Sequence, residues 1–204
     1  MGQYYAAIVI DASRNVTKVE PGTFASFGKL TEHSWVGNPF VNAVYSLIHN
    51  RPRKVAWIGD YSQDPYLPAE DTYAKVLPYD EYLALFNIAQ GDLSGISRGM
   101  FFKDDLGIVD YDTKGFYLVN HDQSVFIDME AYIQRSTVVE DEVAWCMDPL
   151  PLLTACGNGR GGGDYRNESY PCYGDVGTWA FSSVECTETV PAGYTEAIYC
   201  FKED

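Results

Sequence analysis

The sequence predicts an α+β fold, a single domain over residues 1–204 with a largely antiparallel sheet and two main helices. Three observations predict it. The elements run strand, helix, strand, helix and then mostly hairpins. Two helices cannot cover both faces of a wide parallel sheet. Most of the later connections are short, as antiparallel pairing allows. A length of 204 residues with 46% hydrophobic content suits one domain with a core of its own.

Tyr4–Ile10 is a continuous apolar run ended by Asp11, which reads as a buried strand. Asp11–Asn15 is a turn and Val16–Val19 a return strand. Asn38-Pro39 marks a helix start, because Asn caps and Pro suits the first helical position. Phe40, Val41, Val44, Tyr45, Leu47 and Ile48 then share one face of a helix that runs to about His49. Lys54–Ile58 is a second buried strand, ended by Gly59-Asp60. Tyr79–Gln90 reads as the second main helix, stopped by Gly91. Gly115–Asn120 and Ser124–Met129 make a hairpin around His121-Asp122-Gln123. Glu130–Gln134 starts a short helix, and Val143–Met147 reads as a strand. Val176–Cys186 and Tyr194–Phe201 are expected to form a last antiparallel pair, turned at Pro191-Ala192-Gly193.

The net charge of −15 is large for this length and unevenly spread. Residues 1–58 carry six Lys/Arg against three Asp/Glu; residues 59–204 carry eight against 26. Residues 60–148 alone hold 18 Asp/Glu against five Lys/Arg. Such a field disfavours a nucleic-acid backbone or an anionic membrane, which need a positive face. It favours a basic protein partner, or serves solubility alone. No run approaches the length of a membrane helix, and the N-terminus lacks a basic targeting region. Five cysteines, an odd number with no C-x-x-C spacing, point to reduced thiols and a cytoplasmic setting. No cofactor and no metal are expected.

Gly157–Tyr165, GNGRGGGDY, packs five glycines into seven positions. Consecutive amides there could form an anion-binding nest, with Arg160 adding donors and Asn158, Asp164 and Tyr165 flanking it. It is no Walker motif, and no helix is expected to follow it. The alternative is a tight structural turn. His33, in Glu32-His33-Ser34-Trp35, stands beside polar neighbours before the first helix, and Trp35 is a candidate contact residue. Asp60 follows a strand end. His121 sits with Asp122 at an expected hairpin tip. Together His33, Asp60, His121 and Asp122 would make an acid–base or metal site only if the fold joined them.

The opening MGQYY, KLTEHSWVGNPFVNAV, VAWIGDY, YLVNHDQSVFID and PLPLLTACGNGRGGGDY followed by VGTWA resemble a group of small proteins of bacteria, phages and conjugative elements. The resemblance spans nearly the whole chain and implies no catalytic roles. It implies a mobile-element accessory, inhibitor or anti-defence factor. The expected function is therefore that of a non-enzymatic acidic binding protein acting on a basic host protein. The alternative is a nucleotide- or phosphate-binding protein, or a metal-dependent hydrolase, built on the glycine-rich loop.

Overall fold

A computed structural model of the chain describes residues 3–62, 113, 115–157 and 173–201. It has the α+β architecture expected, with a large, mostly antiparallel sheet. Strand β1 (Tyr5–Ile10) returns as β2 (Val16–Val19), with Ile10 opposite Val16. On the other side of β1 lies β3 (Arg53–Gly59), antiparallel, with Tyr5 opposite Gly59. Then come β9 (Ser183–Thr187), β4 (Tyr117–Asn120), β5 (Val125–Asp128) and β10 (Thr195–Glu196). The short β8 (Ala155–Cys156) shares an edge of β3 with β9: β9 pairs with Arg53–Lys54 and β8, parallel, with Trp57–Ile58.

The unbroken apolar runs of β1 and β3 follow from burial on both faces. Ala7, Val9, Val55 and Trp57 belong to the main core with α2 (Pro39–Ile48), while Ile8, Ala56 and Ile58 pack with Ala180 and Phe181 in a second cluster. Helix α2 starts where Asn38-Pro39 signals it. The Asn38 side chain accepts from the Phe40 amide at 2.9 Å, satisfying one of the open donors of the first turn. A short helix α1 (Leu30–His33) precedes it.

The segment Tyr79–Gln90 lies outside the described residues. Among those described, the second longer helix is α3 (Met129–Ser136), capped by Asp128, whose carboxylate accepts from the Ala131 amide at 3.0 Å. The hairpin around His121-Asp122-Gln123 forms as β4–β5, with Asn120 opposite Val125. Strand β7 (Val143–Trp145) pairs with β6 (Val138–Glu140) in a separate two-stranded ribbon. Helix α4 (Pro149–Leu153) starts at Asp148.

One expectation is corrected. Val176–Cys186 and Tyr194–Phe201 do not pair with each other. Residues 176–182 form turns whose amides bond to other elements: Gly177 to the Leu152 carbonyl, Trp179 to Leu153 and Phe181 to Val55. This folds Trp179 and Phe181 into the core instead of extending them. Only Ser183–Thr187 is a strand, and it pairs with β3 and β4. β10 instead runs parallel to β5. The free energy of burying two large aromatics outweighs the local alternation that suggested one long strand. No helix among the described residues is long and apolar enough to cross a membrane.

Candidate functional site

One end of the sheet gathers several of the sequence's most distinctive residues. β3 and β8 are parallel, so both leave the sheet at the edge where the antiparallel β1 enters it. Gly59 and Gly157 therefore meet the start of the chain. Gln3 is fully buried there, and its Oε1 accepts from the Tyr5 hydroxyl at 3.0 Å. A Cβ on Gly157 would collide with the Tyr5 hydroxyl and stand 3.1 Å from Gln3 Oε1. A Cβ on Gly59 would lie 2.6 Å from Gln3 Cδ. The first glycine of GNGRGGGDY is thus a packing requirement: only a residue without a side chain fits under Tyr5. Asn158, Arg160, Asp164 and Tyr165 lie outside the described residues.

Around this root the edge presents aromatic surface. Asp60 closes the end of the β1–β3 pair: its carboxylate accepts from the Tyr4 amide at 3.0 Å, and its amide donates to the Tyr4 carbonyl at 2.9 Å. The Tyr5 amide bonds to Gly28 O at 2.7 Å, which lays the Phe27-Gly28 segment along the strand start. The Tyr4 ring lies so close over Gly28 that a Cβ there would be 2.6 Å from Tyr4 Cδ1. Tyr4, Phe27 and Tyr61 are 55%, 72% and 37% exposed. Phe27 in particular leaves a large apolar side chain in water, which folding alone does not reward.

The remaining sequence candidates take separate places. His33 is buried, its Nδ1 3.0 Å from the Phe27 carbonyl and its ring edge-on to Phe40 at 4.9 Å. Burial pulls its pKa down to about 4, so it is a neutral imidazole donating through Nδ1. It is closed to a partner. Trp35 is half-buried, donates from Nε1 to the Glu32 carbonyl at 3.0 Å and packs edge-on against Trp145 at 4.9 Å. It ties the α1 turn to β7. His121 lies between Glu185, 2.9 Å from its Nε2, and the Tyr194 hydroxyl, 3.0 Å from its Nδ1. Asp122 accepts instead from the Ser183 amide at 3.1 Å. Among the described residues no hydrogen bond joins His33, Asp60, His121 and Asp122, and no group of three His, Cys, Asp or Glu could hold a metal.

Two arrangements escape sequence reasoning. The Glu185–His121–Tyr194 line joins residues 64 and 73 positions from the histidine, and no spacing rule finds it. Asp148 is fully buried, and its Oδ1 accepts from the Tyr45 hydroxyl at 2.8 Å and from the Leu150 amide at 2.9 Å. Its Oδ2 is buried without a hydrogen-bond partner. Burial raises its pKa to about 7 against the lowering effect of those two donors. The Asp148-Pro149 pair, a cap before a first-turn proline, is the signal that could have placed it at a helix start. Burial pushes the Cys146 thiol up to about 12, where it is no nucleophile. No protein-family model, curated protein or solved structure matches the chain.

Proposed function

We propose that the protein is a non-enzymatic binding protein that engages a basic protein through the aromatic edge of Tyr4, Phe27 and Tyr61. The observation that carries this reading is the exposure of these three rings around the rigid root of the glycine-rich segment. Tyrosine and phenylalanine on a firm backbone are the usual anchors of an interface. Their faces also attract arginine and lysine from a partner. The net charge of −15 supplies long-range attraction for such a partner and discourages nucleic acid. The resemblance to proteins of phages and conjugative elements supports a host protein as the target. His33 and Cys146, the groups one would enlist for chemistry, are buried and held in their neutral forms.

The test begins with a photo-crosslinking residue at position 27, identification of the captured host protein and its purification. Phe27→Ser combined with Tyr4→Ser is then expected to weaken the purified pair at least about tenfold, while Ile198→Ser, at another exposed apolar position, leaves it unchanged. Raising salt should slow association. An affinity indifferent to the Tyr4 and Phe27 changes would overturn the reading.

A further inference from the structure

The opposite end of the sheet carries a different feature. Where β1 ends and β3 and β9 begin, a cavity of about 460 Å³ opens, with Ile10 and Val16 on its apolar wall and Arg14, Arg53, Lys54 and Ser183 around it. That volume is within the range of small-molecule sites. In a chain with 29 acidic and 14 basic residues, three cations have been collected at one cavity. Among the described residues none of them is in an ion pair; the lysine pairs formed are Lys18–Glu20 and Lys29–Glu32.

The carboxylates nearby are occupied. Asp11 lines the cavity, but its Oδ1 accepts from the Ser13 and Asn15 amides at 2.8 and 2.9 Å, and its Oδ2 from Asn15 Nδ2 at 2.9 Å. Its oxygens build the turn, and the Asn15 hydrogen bonds lower its pKa more than the nearby Arg53 charge does, so it forms no ion pair with the cations. Asp122 faces Ser183 but accepts from that residue's amide. The turn closed by Asp11 holds Arg14 at φ 65°, a left-handed conformation that a non-glycine residue adopts at a cost. The Arg14 amide donates to the Asp11 carbonyl at 2.9 Å, which closes the turn around that conformation.

We propose that this cavity is a binding site for a small phosphomonoester with an apolar body. Arg14 supplies a planar fork that matches phosphate oxygens, Lys54, paired with Ile10 across the sheet, adds a point charge, Arg53 adds positive charge at the rim, and the Ile10–Val16 wall takes the body. The volume suits a molecule of mononucleotide size or less. The site lies at the far end of β3 from Gly59 and Gly157, so it is independent of the aromatic edge and the glycine-rich segment.

Phenyl phosphate, inorganic phosphate and benzyl alcohol serve as probes, titrated into the full chain by calorimetry and by amide chemical shifts. Phenyl phosphate is expected to bind saturably, to shift the amides of residues 10–16, 53, 54 and 183, and to bind several-fold more tightly than inorganic phosphate. Arg14→Asn, which keeps the left-handed turn, and Lys54→Gln should each weaken it about tenfold. Lys29→Gln, which removes a paired cation elsewhere, should leave it unchanged. The proposal is overturned if phenyl phosphate does not saturate in the millimolar range, if all three variants behave alike, or if inorganic phosphate binds equally well.

Discussion

His33 and Asp148 are both fully buried, and burial holds each in its neutral form over the mildly acidic range. Their effects on stability oppose one another. The unfolded histidine takes a proton below about pH 6.5, whereas folded His33 resists until about 4, so its contribution is lost as pH falls through that window. The unfolded aspartate releases its proton above about 3.8, whereas folded Asp148 keeps it until about 7, so its contribution is lost as pH rises through that window. Between about pH 4 and 6.5 the two slopes, each about 1.4 kcal/mol per pH unit, offset. Asp148→Asn keeps the cap to Leu150 and should expose the histidine slope, making stability rise with pH from 4 to 6.5. His33→Asn keeps a donor for the Phe27 carbonyl and should expose the aspartate slope, with the opposite sign. Urea denaturation at half-unit pH steps reads both. Parallel profiles for the two variants would contradict the assignment.

The β6–β7 ribbon illustrates what is decided at the scale of an element. Its strands are joined by Asp141 and Glu142 alone, since Glu140 pairs directly with Val143. Both turn residues have positive φ, 47° and 67°, the conformation that glycine and asparagine adopt most readily. Glu142→Gly should therefore stabilise the protein by roughly 0.5–1 kcal/mol, measured by urea denaturation, because relief of strain exceeds the added chain entropy. Val139 and Val143, 69% and 62% exposed, alternate along the ribbon and leave it little buried surface of its own. The turn pair Asp141-Glu142 lacks the glycine that announces a two-residue hairpin, which is why β6 is not legible in the sequence.

For the whole molecule, the sheet sets two ends against each other. One end packs Gln3, Tyr5, Gly59 and Gly157 tightly and surrounds them with exposed rings; the other opens into a cationic cavity. Gly157→Ala is expected to cost about 1–3 kcal/mol, because the new methyl meets the Tyr5 hydroxyl inside a filled core. Tyr5→Phe removes that hydroxyl, so the glycine substitution should cost less in its background. A double-mutant cycle on thermal or urea unfolding measures the difference, and additive effects would argue against the contact. Neither change touches Arg14 or Lys54, so phosphate binding at the far end should survive both.

The amino-acid sequence sets the local frame. The apolar runs at β1 and β3, the Asn38-Pro39 start of α2 and the β4–β5 hairpin are all read from periodicity and turn chemistry, because those signals act over a few residues. It also singled out Gly157, though as the start of a loop and not as the residue that must fit beneath Tyr5. Tertiary packing chose the long-range partners: β9 inserted between β3 and β4, Glu185 and Tyr194 on either side of His121, and Tyr45 against Asp148. It also withdrew His33 from solvent while leaving Phe27 in it. Burial and pairing across 64 to 103 residues depend on how whole faces pack, and a histidine or an aspartate carries no local mark of the neighbours it will meet.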